Sequence, residues 1–157
     1  MRIKPCFRGS SHQTWCSRGG WTKGMVLVDK ELNSVERVLV CVNALLEKKA
    51  KNITLLKVKE LSAFTDYFVI CSGASDRQVQ AIASAIREKM KQSGVLSMGI
   101  EGEAHGQWVL MDYDDLIVHI FYEPVREFYD LERLWSEAPR MEVDENLTQL
   151  TALSIGF

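Results

Sequence analysis

The stretch Asp66-Tyr67-Phe68-Val69-Ile70-Cys71-Ser72-Gly73-Ala74-Ser75-Asp76-Arg77-Gln78-Val79 changes period halfway along, and that change decides the fold. Residues Asp66–Cys71 are apolar enough for a central strand buried on both faces. Ser72-Gly73-Ala74-Ser75 then turns the chain. Ser75 and Gln78 read as a Ser-x-x-Gln capping box, which satisfies free backbone N–H groups where a helix begins. Val79, Ile82, Ala83, Ile86 and Met90 follow on one helical face. Gly94 closes the helix with the backbone freedom that such an end requires. A strand running through a short turn into an amphipathic helix is the unit of an α/β fold with a crossover.

Working towards the N-terminus, Leu32, Val35, Val38, Leu39, Val42, Leu45 and Leu46 recur at steps of three and four. They make the apolar stripe of a helix ending near Lys49, with Lys48, Lys49 and Lys51 suited to its C-terminal end. Ile53–Val58 reads as a strand. Towards the C-terminus, a short strand is expected around Val95–Ile100. Trp108–Tyr113 and Leu116–Tyr122 read as two strands joined by a tight turn at Asp114-Asp115. Pro124 suits a first helical turn, and Phe128, Leu131, Leu134 and Trp135 share a helical face running to about Ser136. The fold class is therefore α/β, a mixed β-sheet of about five strands covered by helices. The expected division is a disordered basic extension (1–24), one domain (25–137) and a loosely attached tail (138–157).

The 157 residues carry 19 Lys+Arg against 21 Asp+Glu, and this near-balance conceals a split. Residues 1–24 hold Arg2, Lys4, Arg8, Arg18 and Lys23 with no acid, so the body that follows is acidic. Rich in glycine and without hydrophobic periodicity, the head buries too little apolar surface to offset its ordering entropy. It has no apolar core of a secretory signal. An inert extension is the favoured reading, ahead of a transit peptide or a functional basic arm, so a cytoplasmic location is expected. A net charge of −2 argues against a nucleic-acid-gripping surface, and no apolar run reaches the length of a membrane span. Cys6 and Cys16 lie in the head, Cys41 and Cys71 in apolar patterns. Cys6, His12 and Cys16 match no zinc spacing, and buried free thiols are expected in the body.

Candidate chemistry is sparse. Ser72-Gly73-Ala74-Ser75 is neither a dinucleotide fingerprint nor a Walker loop, and turn plus cap accounts for it. Asp112, Asp114 and Asp115 are carboxylates fit for a divalent cation, but Asp is also a common turn residue, which is the reading preferred. Strand alternation sets Asp112 with Trp108 and Leu110, and His119 with Ile117 and Phe121. A hydrogen-bonded structural or interface histidine is favoured at 119 over a general base. Cys71 in a central strand is expected to be inert. Trp108 opens its strand just after the acidic loop Glu101-Gly102-Glu103-Ala104-His105-Gly106. An anchor for a basic protein partner and a core tryptophan both fit it.

Taken together, three segments resemble the ribosomal silencing factor (Iojap) family: Asp66–Val79; Gly99-x-Glu101-Gly102 with Trp108-x-Leu110-x-Asp112-Tyr113-x-Asp115 and Val118-His119-Ile120-Phe121; and Arg126-x-Phe128-Tyr129-x-Leu131-Glu132-x-Leu134-Trp135. The match runs over about residues 30–137 with order and spacing intact. The resemblance implies a nucleotidyltransferase-like α/β fold without catalytic residues. It further implies binding to the large ribosomal subunit through its fourteenth protein, on the face that meets the small subunit. Subunit joining is thereby blocked and translation repressed when nutrients run short. Related organelle proteins act in ribosome assembly, and the resemblance adds a homodimer as a further expectation. One departure stands out: the family's Asp-Tyr-Gly-Asp reads Asp112-Tyr113-Asp114-Asp115 here.

On that implied role, the expected partner surface comprises Trp108, Met111, Asp112, Tyr113, Asp115 and His119, with Glu101 and Glu103 at its edge. The tryptophan supplies contact area, and the acids steer the protein towards a basic ribosomal surface. No catalytic residue, metal or cofactor is expected. The alternative is a metal-dependent nucleotidyltransferase or phosphohydrolase using Asp112 and Asp115, with a thiol enzyme using Cys71 a weaker third.

Overall fold

The computed structural model describes residues 31–146 together with 149, 151 and 155. The readings made for residues 1–24, Cys6, His12 and Cys16 included, lie outside the described residues. Helix α1 spans Ser34–Glu47, strand β1 Lys51–Lys57, β2 Tyr67–Gly73, α2 Asp76–Gln92, β3 Gly99–Glu101, β4 Trp108–Asp112, β5 Leu116–Tyr122, α3 Glu123–Tyr129, α4 Leu131–Leu134 and β6 Arg140–Glu142.

Every residue of β2 is buried, as its unbroken apolar run requires, and β2 pairs in parallel with β5 at the centre of the sheet. All other pairings are antiparallel, in the order β3-β4-β5-β2-β1-β6. The crossover expected through α2 therefore forms, and the α/β mixed sheet holds, with six strands among the described residues where about five were expected. The extra strand is β6, whose register sets Thr54 against Glu142 and Leu56 against Arg140. The Lys57 N–H also donates to the Pro139 carbonyl at 2.9 Å, and the Val143 N–H to that of Ile53 at 2.9 Å. Residues 139–143 are thus part of the sheet, and the boundary drawn at 137 is corrected. A three-residue strand is too short for a period of two to announce itself.

The helices cap as their sequences direct, with one exchange of roles. Asn33 and Glu36 form a complete capping box at α1. At α2 only half of the expected box forms: Ser75 Oγ accepts from the Gln78 N–H at 3.2 Å. The Gln78 side chain instead accepts from the Ala74 N–H at 2.8 Å and donates to the Lys48 and Lys49 carbonyls. It ties the start of α2 to the end of α1. Gly94, at φ +80°, ends the helix as expected, with the Val95 N–H reaching back to the Met90 carbonyl.

One face of the sheet is sealed by α1 and α2. Val79, Ile82, Ile86 and Met90 meet Val109, Met111, Val118 and Ile120 there, in a single apolar core. Each such fully buried side chain contributes about 1.5–3 kcal/mol relative to exposure. Cys41 and Cys71 are free, buried thiols in that core, and burial pushes the Cys71 thiol up to about 12.

The opposite face is covered only in part. Leu131 and Trp135 pack on Leu56 and Phe68. The single helical face expected from Phe128 to Trp135 does not exist, because Asp130 takes a left-handed conformation (φ 43°) and splits the segment into α3 and α4. Phe128 and Leu134 are consequently 81% and 76% exposed.

Candidate functional site: an uncovered half of the sheet

Because directly paired residues share a face of a sheet, the register defines what the uncovered half presents. Glu101 pairs with Leu110, and Leu110 with His119; Gly99 pairs with Asp112, and Asp112 with Ile117; Trp108 pairs with Phe121. Alternation sends Ile100, Val109 and Met111 to the helix-covered side, where they join the core. What remains over β3, β4 and β5 is Trp108, Leu110 and Ile117, all half-buried, with Glu101 and Asp112 beside them.

Trp108 is held on three sides. Its ring stacks on Phe121 (centroids 4.9 Å apart, planes at 24°) and lies 4.9 Å from Tyr129. Its indole Nε1–H donates to His119 Nδ1 at 3.2 Å. Phe128 stands edge-on to Tyr129 at 5.2 Å, so an aromatic ridge runs from the sheet onto the end of α3. Tyr129 is 50% exposed. Trp108 is half-buried, neither wholly in the core nor free of it.

The expected partner residues divide. Trp108, Asp112 and Glu101 lie on the uncovered face. Met111 and Tyr113 do not: both are buried beneath the helices, and the Tyr113 hydroxyl has no hydrogen-bond partner among the described residues. The alternation that places Asp112 outwards places its neighbours inwards. His119 lies on the right face but behind Trp108, only 6% exposed, against the edge of Phe68. Burial holds its imidazole down to about 4, opposed by the Glu132 carboxylate, so the ring is neutral at pH 7. Its Nδ1 is occupied within the molecule by the Trp108 indole.

Asp115 is engaged inside the molecule. Its carboxylate takes a 2.8 Å bond from Arg37 of α1, and its carbonyl accepts from the Asp66 and Tyr67 N–H groups. Burial raises its pKa, and the Arg37 guanidinium offsets part of that rise. Asp112 caps the turn through the Asp114 N–H at 2.9 Å. The two carboxylates therefore serve different tasks, and among the described residues no three His, Cys, Asp or Glu side chains gather to hold a metal ion. Asp114 sits at φ 73°, the left-handed position that glycine occupies without cost. Glu103 turns to α2, pairing with Arg87 at 3.0 Å, while its carbonyl and that of Ala104 accept from Gln80.

Two glycines fasten this acidic loop. A Cβ at Gly102 (φ +78°) would lie 2.0 Å from the Trp108 carbonyl oxygen, and one at Gly106 (φ +64°) 2.6 Å from that of Asp76. The loop is thereby clamped between the start of β4 and the start of α2.

Beyond β5 the same side of the sheet holds a cavity of about 490 Å³ beside α3. Arg126 spans it. The guanidinium donates to Glu132, to the Asn52 carbonyl at 2.6 Å, to Ser72 Oγ at 2.9 Å and to Thr54 Oγ1 at 3.2 Å. Arg126 and Glu132 fasten α3 and α4 to β1 and β2, and so seat Tyr129 beside Trp108. Sequence reasoning did not single out Phe121, Phe128 or Tyr129 as site residues. Pairing across the hairpin from Trp108 was the available clue to Phe121; the break at Asp130 that exposes Phe128 left none. Among the described residues no helix is long and apolar enough to cross a membrane.

A family model described as ribosomal silencing factor during starvation matches residues 31–154. Ribosomal silencing factor RsfS of Halalkalibacterium halodurans is 37% identical over 113 residues, covering 72% of this chain and 97% of the relative. Its counterpart in Bacillus subtilis is 40% identical over 103 residues, covering 66% and 87%. A crystal structure of a protein from Chromobacterium violaceum superposes with a TM-score of 0.66 at 33% identity, covering 74% of this chain and 98% of that one. Matched over the whole described domain, in sequence and in architecture alike, the chain belongs to the ribosomal silencing factor family.

Proposed function

We propose that this protein binds the large ribosomal subunit through its fourteenth protein, blocks joining of the small subunit by occupying the joining face, and so represses translation when nutrients are limiting. The observation that carries the reading is the uncovered half-sheet. Trp108, Leu110, Ile117 and Tyr129 offer apolar and aromatic area there, with Glu101 and Asp112 at its margin. Half-buried aromatics that desolvate on contact, beside acids that select a basic partner, are the make-up of a protein-binding surface. Neither Asp112 nor Asp115 is assigned a catalytic step, since Asp112 caps the hairpin turn and Asp115 is paired with Arg37 of α1. The protein acts where ribosomes assemble, in the cytoplasm. A second copy is the competing occupant of this apolar area, and sedimentation equilibrium of the free protein reads that self-association.

The test is co-sedimentation of the full chain with isolated large subunits, with and without added small subunits. Wild type is expected to pellet with large subunits and to lower the yield of joined ribosomes. Trp108→Ala is expected to keep its far-UV spectrum and lose at least about tenfold in affinity, as a central aromatic anchor does. Wild-type pelleting by a folded Trp108→Ala would remove the assignment of this face.

A further inference from the structure

We propose that His119 is a positioning residue: it does not touch the partner but, by accepting the Trp108 indole N–H at Nδ1, fixes the orientation in which that indole meets the ribosomal surface. The inference rests on the partner-face reading above and assigns the residue behind it a task of its own.

Three observations support this. His119 is 6% exposed, so direct contact with a partner is closed to it. The donor and acceptor are 3.2 Å apart and lie on paired strands, Trp108 opposite Phe121 and His119 two residues back along β5. The indole also stacks on Phe121 and borders Tyr129, so stacking sets its plane while the hydrogen bond sets which edge points inwards. Stacking alone leaves a ring free to turn over within its plane; a directional bond to one nitrogen does not. The imidazole can accept because it is neutral: low solvent access disfavours the imidazolium, and accepting at Nδ1 selects the Nε2–H tautomer. Phe68, edge-on at 5.4 Å, holds the imidazole from the far side.

The arrangement also specifies the partner's chemistry. An indole whose only donor is spent internally offers apolar and π surface and no hydrogen bond. The matching group on the ribosomal side is then an aliphatic stem or the cation of a lysine or arginine, not a hydrogen-bond acceptor.

The test uses the full chain and a thermodynamic cycle. His119→Phe keeps a ring against Phe68 and removes the acceptor; His119→Asn keeps an acceptor, Oδ1, where Nδ1 stands. Solvent exchange of the Trp108 indole proton, assigned by its loss in Trp108→Phe, reads the bond with no partner present. It is expected to be slow in wild type and His119→Asn, and about tenfold faster in His119→Phe. Affinity for isolated large subunits is expected to fall about tenfold in His119→Phe and less than about threefold in His119→Asn. In a Trp108→Phe background, His119→Phe is expected to add less than about twofold, because there is no indole left to orient.

Full additional loss in that background would show His119 acting on its own and overturn the proposal. So would wild-type affinity in a folded His119→Phe. Should His119→Phe not fold, exchange in wild type and His119→Asn decides, and an indole proton exchanging as fast as that of free tryptophan overturns it. Wild-type binding by Trp108→Ala removes the partner face itself. Loss of binding by Trp108→Ala without loss by His119→Phe removes only the positioning role.

Discussion

Replacing Arg126 with leucine removes the guanidinium at the centre of a polar junction that joins four segments. The side chains of Arg126 and Glu132 are only 13% and 15% exposed, so the pair is largely out of water. Arg126→Leu leaves the Glu132 carboxylate without its hydrogen-bonded cation, with only the more exposed Arg140 nearby, and leaves Ser72 Oγ, Thr54 Oγ1 and the Asn52 carbonyl without their donor. Breaking a buried pair from one side costs about 3–5 kcal/mol; water entering from the adjoining cavity places this site near the lower end, at about 3 kcal/mol. Glu132→Gln retains an acceptor and loses only charge, so about 1.5 kcal/mol is expected. Removing both charges as Arg126→Leu/Glu132→Leu abolishes the stranded carboxylate, so the double variant should be less destabilised than the sum of Arg126→Leu and Glu132→Leu by about 2 kcal/mol. Urea titration followed by far-UV circular dichroism measures all of these, and a loss of about 3 kcal/mol corresponds to roughly 10 °C in Tm. The near-UV aromatic signal should weaken in parallel, because Tyr129 loses its seat beside Trp108 and Trp135 its seat on Phe68. A loss below about 1 kcal/mol for Arg126→Leu, or additivity within about 0.5 kcal/mol, would refute the account of Arg126 as the fastening of α3 and α4.

Two further outcomes are expected. Asp114→Gly relieves a left-handed conformation in the β4–β5 turn and should raise stability by about 0.5–1 kcal/mol, read as a rise in the urea midpoint, with large-subunit binding unchanged. Stability should also fall on acidification through His119, whose folded value of about 4 lies below the ordinary 6.5. The unfolded chain takes up that proton first, so the contribution is complete above about pH 6.5 and is lost as the pH drops towards 4, amounting to about 2 kcal/mol between pH 7 and pH 5. His119→Asn should flatten that part of the profile, and identical pH dependence in wild type and variant would count against it.

Much of this fold is legible in the chain because its signals are local. The switch from an apolar run to a 3.6-residue period at Ser75 marks β2, the turn and α2, and alternation from Trp108 to Asp112 and from Ile117 to Phe121 reads out which side each residue takes. The same alternation already excludes Met111 and Tyr113 from the face of Asp112. Met111 and Tyr113 accordingly lie in the core beneath the helices, on the side opposite Asp112. What is not legible depends on distance or on single dihedrals. Asp115 meets Arg37 across 78 positions of chain, β6 is three residues long, and the helix break at Asp130 rests on one left-handed residue with no glycine to announce it.

The parallel pair at the centre of the sheet has a consequence for how the molecule is made. Tyr67 waits for Leu116, 49 residues downstream, and β1 receives its second neighbour only when Arg140–Glu142 have been synthesised. Loop closure of that length has to precede the contacts that reward it, which places this chain among slow, non-local folders. While it is being made, β2 has only β1 to pair with and only α1 to cover it, until α2 and β5 arrive. The sheet is completed only once the last strand has cleared the exit tunnel of the ribosome that made it, so each newly synthesised copy is fully formed only after elongation through this domain has ended.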